Sequence, residues 1–218
     1  AFNSGEDGEQ PGLGQAIYLP FILDLHPLPS AMAVETLLTL NPGAQLTSRL
    51  VELNTGWVRL SGRISWRKLQ PNEGDPINWS LLAGVENELR LLNRLGVKPI
   101  LVLNDSPYWA TVAPTSCAAI RADKFEAFAS FIQQMAAHFK SEEFNVHDWE
   151  LGNEPDLTFF YPGPIARYVR GYETMYDAIK AADRSAVVMN GGLCFHGPDG
   201  DRRAREFVRL VNPSKIDA

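Results

Sequence analysis

The sequence predicts an α/β protein of the (β/α)8 TIM-barrel type, incomplete, with about five and a half strand–helix units. Three observations predict it. Short apolar runs alternate with longer segments of helical periodicity. The runs are continuously apolar rather than alternating, as in strands buried on both faces of a parallel sheet. Polar residues (Arg59, Asn104, Asn153-Glu154 and Asn190) gather where those runs end, the end at which barrels carry their functional groups.

The elements follow in order. The opening "AFNSGEDGEQPGLGQ" is polar and Gly-rich, so residues 1–30 are expected to be a mobile tail or linker and 31–218 the partial barrel. Within the tail, "AIYLPFILDL" is apolar but broken by Pro20 and Asp24, and it is shorter than the ~20 residues a bilayer span needs. It reads as a lead-in packed on the barrel or as a linker. Val34–Leu40 is a first strand, stopped by Asn41-Pro42-Gly43. "LTSRLVELNT" reads as a short helix, and Gly56–Gly62 as a strand bounded by glycines. Leu81, Leu82, Val85, Leu89, Leu92 and Leu95 then recur at helical spacing, with Gly96 as the stop. The strand Val97–Asn104 follows at once.

The rhythm repeats. Phe125, Phe128, Ile132, Met135 and Phe139 share one helical face. Val146–Gly152 is the fourth strand. A helix is predicted over Ile165–Ala182, with Tyr168, Tyr172, Met175, Tyr176 and Ile179 on its stripe. "SAVVMNGG" is the fifth strand and "REFVRLVN" a helix, preceded by "DRRAR" as its solvated start. "KIDA" reads as the first residues of a sixth strand. An open doubly wound sheet of the dinucleotide-binding kind needs a G-x-G-x-x-G turn after an early strand, and "LSGRIS" lacks it.

Composition narrows the function. The 218 residues are 45% hydrophobic and 21% charged, with a net charge of −6, which is ordinary globular usage. No basic run suggests nucleic acid, and no apolar stretch spans a membrane. His26, His138, His147 and His196 show no H-x-H or H-x-x-x-H spacing, so no metal and no cofactor is expected. The first residue is Ala1, not Met. A tail left by a removed signal peptide would fit an extracellular or periplasmic protein. Cys117 and Cys194 follow the third and fifth strands. They form either a loop-tying disulfide or two separate thiols.

The chemistry concentrates at "WELGNEPD", Trp149 to Asp156. Cleaving a glycosidic bond takes one carboxylic acid to protonate the leaving oxygen and a second carboxylate on the other face of the sugar. A hydrogen bond to the sugar 2-hydroxyl strengthens in the transition state. Asn153 is the right type for that bond, Glu154 for the acid, and Pro155 fixes the turn. The string resembles the fourth-strand motif of the clan A glycoside hydrolases, retaining (β/α)8 enzymes that include families 39 and 5. "GWVRLSGRISWRKLQPNEGDPINWSLL", "GVKPILVLNDSPYWA" and "AADRSAVVMNGGL" resemble that clan's second, third and fifth strand segments, in the right order. The likeness runs from about Leu50 to Ala218 and is nearest to family 39.

The resemblance implies roles. Glu154 matches the general acid/base and Asn153 the 2-hydroxyl contact. Arg59 matches a basic residue that supports the catalytic carboxylates, or else belongs to a structural ion pair. Trp66 and Trp109 lie in segments on the catalytic side, where indoles stack on sugars or simply pack. Asn104 sits where some family 5 relatives have His. "FFYPG", at Phe159 to Gly163, and "CFH", at Cys194 to His196, bring aromatic residues that line the cleft or, as with His196, are incidental.

Glu150 is no partner for Glu154, because four strand residues span ~13 Å and a retaining pair stands about 5–5.5 Å apart. Glu150 is expected inside the barrel, paired with a base such as Arg59. Asp156 is expected to begin the loop or cap a turn. The clan's nucleophile ends strand seven, so by resemblance it falls beyond Ala218. The expected function is a retaining glycoside hydrolase whose substrate is an oligosaccharide or polysaccharide. The alternative is a non-catalytic carbohydrate-binding degenerate barrel. A chain truncated there is expected to associate through its unpaired barrel edges.

Overall fold

A computed structural model describes residues 32–36, 40, 44–115 and 118–217. The N-terminal tail with its apolar lead-in, His26 and Cys117 lie outside the described residues. Five strands form one parallel sheet: β1 (Ala33–Thr36), β2 (Trp57–Ile64), β3 (Lys98–Leu103), β4 (Asp148–Leu151) and β5 (Val187–Asn190). Their spatial order is their sequence order. A doubly wound sheet reverses direction partway, so the unbroken order is that of a barrel wall.

Helices make every crossover. They are α1 (Gln45–Glu52), a short α2 (Trp66–Leu69), α3 (Ala83–Arg94), α4 (Phe125–Phe139), α5 (Ile165–Ala182) and α6 (Gly197–Leu210). The period-two geometry of strands sorts their side chains. Val58 and Leu60 of β2, Leu101 of β3, Trp149 of β4 and Val188 of β5 are all fully buried in the hydrophobic core. Arg59 and Ser61 alternate with Val58 and Leu60, and they meet Glu35 and Glu150 on the opposite, concave face.

The helical stripes behave as their spacing predicts. Phe128, Ile132, Met135 and Phe139 of α4 and Tyr172, Met175 and Ile179 of α5 pack into the core. Val85, Leu89 and Leu92 of α3 are buried, as is Leu82 at the end of the 3-10 turn Trp79–Leu82 that precedes the helix, whereas Leu81 of the same turn is exposed. Leu95 is the C-cap of α3, and Gly96 follows it at φ +68°, a conformation glycine adopts without a Cβ clash. A buried pair, Arg63 and Glu88, joins β2 to α3 at 2.7 Å, and Glu88 also accepts the Leu40 backbone N–H.

One expectation at the C-terminal side needs correction. The last helix starts at Gly197, so "DRRAR" lies inside α6 rather than at its start. Arg202 and Arg205 are indeed solvated and pair with Asp199 and Asp201, but Arg203 is buried. "KIDA" does not pair as a sixth strand within the described residues: Ile216 is exposed, and the Asp217 carboxylate accepts the Val188 N–H of β5 at 3.0 Å and Lys180 Nζ at 2.8 Å. No helix among the described residues is long and apolar enough to cross a membrane.

Candidate active site

The turn after β4 carries the chemistry. Gly152 leaves the strand at φ +73° and Glu154 sits at φ +43°. A non-glycine residue there costs of order 1–3 kcal/mol and persists only where its surroundings over-determine it. They do so here. Gly152 N–H donates to Leu103 O of β3 at 2.8 Å, and Glu154 N–H donates to Gly191 O at 2.6 Å. The Tyr168 hydroxyl donates to Leu151 O at 2.7 Å and accepts Gly191 N–H at 2.9 Å, stitching the ends of β4 and β5 together beneath the turn. Burial pushes that hydroxyl's pKa upward, so it stays neutral and serves as both donor and acceptor.

The far side of the turn is clamped by groups that sequence reasoning did not single out or placed otherwise. Asp156 is fully buried, and its carboxylate accepts N–H groups of Cys194 at 3.1 Å and Phe195 at 2.8 Å. It is therefore more than a cap within its own loop, since it ties the β4 loop to the β5 loop. Phe195 is held at φ +55° by this contact. Arg203 of α6 donates to four carbonyls of the β4 loop: Pro155, Asp156, Tyr161 and Gly163, at 2.7 to 3.1 Å. One signal for Arg203 was present in the sequence. With Gly200, Ala204 and Phe207 it occupies the buried stripe of α6 at helical spacing.

Gly191 permits the close approach of the two loops. A Cβ there would meet Leu151 O at 2.6 Å and Asn153 N at 2.9 Å, both backbone atoms. Gly191→Ala is expected to cost about 2 kcal/mol through overpacking and to shift the Asn153 and Glu154 amide resonances. A urea unfolding curve superimposable on the wild type would contradict this.

Arg59 organises the concave face. Its Nε and Nη2 make a two-point pair with Glu150 at 2.7 Å each, and Nη2 also reaches Asn153 Oδ1 at 3.1 Å. Its Nη1 donates to Ser61 Oγ at 2.9 Å and to Glu35. The Glu150 carboxylate holds the Arg59 guanidinium above its already high pKa. Glu150 is thus an interior group paired with Arg59, as its spacing from Glu154 predicts. Glu35, the one carboxylate of its apolar strand, also belongs to this cluster.

The remaining site residues separate. Asn104 is exposed at the end of β3 and lines the same cavity as Asn153 and Glu154. Trp66 begins α2, is 1% exposed and packs against Phe128, Phe131 and Trp109, with its indole N–H on Gln70. It belongs to the core and lines the inner wall of the cavity beside Glu154. Trp109 is half-buried, edge-on to Trp66, with its N–H on Gln70 O at 3.1 Å. The exposed rings at this end of the sheet are Tyr108, Phe159, Phe160 and Phe195. Cys194 is exposed, and its proposed partner Cys117 lies outside the described residues. Among the described residues no group of three His, Cys, Asp or Glu is placed to hold a metal ion.

Two cavities of about 510 Å³ each meet at Asn153 and Glu154. One, between the β4 and β5 ends, is lined by Glu35, Arg59, Glu150, Asn190 and the glycine pair Gly191-Gly192. The other, between the β3 and β4 loops, is lined largely by Leu103, Ile120, Phe128, Leu151, Phe160 and Tyr161. Both volumes suit a small ligand.

A parallel sheet wound in sequence order, with an Asn-Glu pair displayed at the end of its fourth strand, defines a barrel of the clan A glycoside hydrolase type. The family model for cellulase, glycosyl hydrolase family 5, matches residues 36–215, and the chain belongs to that family. Solved structures share the fold. A family 39 glycoside hydrolase from the gut symbiont Bacteroides cellulosilyticus is 18% identical with a TM-score of 0.55, over 76% of this chain and 32% of that one. A glucosidase from Croceicoccus marinus is 14% identical with a TM-score of 0.60, over 85% and 41%. A monomeric beta-xylosidase from Caulobacter crescentus is 21% identical with a TM-score of 0.54, over 72% and 35%. The chain spans less than half the length of each of these structures. No curated protein matches the sequence.

Proposed function

We propose that the protein is a retaining glycosidase that hydrolyses O-glycosyl bonds, with Glu154 as its general acid/base. The observation that carries this reading is the placement of Glu154. It is strained, clamped from two loops and held at the boundary of two ligand-sized cavities, as a proton donor to a bridging oxygen must be. Arg59 occupies Asn153 Oδ1, so the Asn153 NH2 remains as the donor for the sugar 2-hydroxyl.

The neighbouring carboxylates have partners in the fold. Glu150 and Glu35 bind Arg59, Asp156 binds two backbone N–H groups, and Asp105 Oδ2 accepts Ser65 Oγ at 2.8 Å. On the resemblance to the clan, the nucleophile in this reading is the carboxylate that ends a seventh strand. It attacks the anomeric carbon, and Glu154, returned to its ionised form, then draws a proton from the water that releases the sugar.

The test is hydrolysis by the full-length protein of a panel of aryl glucosides, xylosides and mannosides, with the first-formed anomer read by proton NMR. Release with retained configuration is expected. An inverted anomer would remove the nucleophile step. Binding of oligosaccharides without any release would leave a non-catalytic sugar-binding barrel instead.

A further inference from the structure

The two cavities beside Glu154 differ in chemistry. The one between the β4 and β5 ends presents the Asn153 amide N–H groups, Asn190 and the remaining acceptor positions of Glu150, beside an Arg59 whose own donors are all engaged, a set suited to sugar hydroxyls. The one between the β3 and β4 loops is walled by Leu103, Ile120, Phe128, Leu151, Phe160 and Tyr161. It reaches past the strand ends to Phe131 of α4 and Gly171 of α5, behind the sheet. Its polar groups lie in two places: Glu35, Ser61, Asn153 and Glu154 where it meets the polar cavity, and Asn104, Asp105 and Ser106 on the β3 loop, with Asp105 Oδ2 engaged by Ser65 and Arg67. Arg167, the cation of this wall, donates to Ile120 O at 3.0 Å. A further sugar unit seated deep in this cavity would leave several hydroxyls without partners, a desolvation cost of about 1–3 kcal/mol each. An alkyl or aryl group has no such cost and gains from burial.

A general acid stands between the sugar ring and the leaving group, since it protonates the oxygen that joins them. We propose that the leaving group expelled by Glu154 is an apolar alcohol or phenol, seated in the cavity between the β3 and β4 loops, with the sugar in the polar cavity. The proposal rests on the assignment of Glu154 as general acid and names the substrate class of that site: alkyl or aryl glycosides rather than long polysaccharide chains. The Glu154 carboxylic proton passes to the bridging oxygen, the anomeric C–O bond breaks with its electron pair going to that oxygen, and the alcohol or phenol leaves. The sugar carbon is taken by the nucleophile and then by water, so one water is consumed per bond.

Paired methyl and octyl β-D-glucopyranosides and β-D-xylopyranosides, titrated calorimetrically into the full-length protein below micelle formation, test this. The octyl member of at least one pair is expected to bind about tenfold tighter or more. Ser106→Phe, which places a ring in the cavity mouth, is expected to bring the octyl affinity back to that of the methyl glycoside and leave the methyl glycoside unchanged. 1-Naphthol alone reads the cavity without any sugar: it is expected to bind the wild type and not Ser106→Phe, whose folding is checked by its thermal melt. Equal affinity of methyl and octyl glycosides overturns the inference and leaves the glycosidase reading standing. So does cellotetraose that binds more tightly than the octyl glycosides and displaces them. Naphthol binding with no affinity for any glycoside or oligosaccharide overturns the glycosidase reading, and with it the sugar half of the proposal.

Discussion

Replacing Arg203 with methionine is expected to destabilise the protein by about 4 kcal/mol, the largest loss of stability expected from a single change in this region. Arg203 lies in α6 with its guanidinium buried under the β4 loop, donating to Pro155 O, Asp156 O, Tyr161 O and Gly163 O. Methionine keeps much of the apolar stem but removes all four donors. A hydrogen bond from a charged donor contributes about 1.5–3 kcal/mol. Four of them on one side chain are not additive, because the loop lifts and water reaches some of the freed carbonyls. Arg203→Lys separates charge from shape: a single ammonium cannot span four carbonyls set around a planar fork, so it recovers only part of the loss. Urea unfolding followed by circular dichroism is the measurement. A methionine variant within about 1 kcal/mol of wild type would show that the clamp is not a stabilising feature.

The clamp also explains why the acid's backbone holds its strained conformation. Pro155 fixes one dihedral after Glu154, but a proline alone does not hold the residue before it in the left-handed region; it favours extended conformations there. What holds Glu154 is the N–H bond to Gly191 O on one side and the Arg203 and Asp156 contacts on the other. A loop tied to β5 and α6 is a rigid support of the kind that a proton donor needs, since a displacement of about 1 Å is enough to cost a factor of about 100 in rate.

Much of this was legible in the sequence, and the reasons are physical. Helix α5 lies at Ile165–Ala182 as its spacing predicts, because a long amphipathic stripe has one way to bury itself. Glu150 pairs with Arg59 because side-chain parity puts both on the concave face and a charge inside a barrel needs a counter-charge. Asn153-Glu154 was visible because a carboxylate ending an apolar strand has no packing reason to be there. The enclosure of Trp66 is not legible, because composition does not say which of two neighbouring indoles is covered. Its burial is decided by α4, far along the chain, through Phe128 and Phe131. Arg203 was hidden among solvated arginines, and only its position on the stripe with Ala204 and Phe207 distinguishes it. At the other end, "KIDA" lies beside β5: the Asp217 carboxylate accepts the Val188 N–H.

Glu154→Gln is expected to lower kcat/KM for alkyl glycosides by about 10²–10⁴-fold, the range in which general acid catalysis contributes, with little change in stability. Glutamine has the same shape and keeps hydrogen-bonding groups at the junction of the two cavities, so substrate still binds. What it cannot do is hand a proton to the bridging oxygen. The loss must therefore depend on the leaving group. A 2,4-dinitrophenolate departs without help and its first step is nearly unaffected, whereas an alkoxide does not. The second half-reaction gives an independent reading. There Glu154 acts as base toward water, and a small anion such as azide attacks without a base. Glu154→Ala leaves room for it, so azide is expected to restore turnover of the dinitrophenyl glycoside and to yield the glycosyl azide with retained configuration. A purely structural carboxylate would show neither the leaving-group dependence nor the rescue. Wild-type turnover of an alkyl glycoside by Glu154→Gln would remove Glu154 from the chemistry, and the clamp around it would then be only a device of the fold.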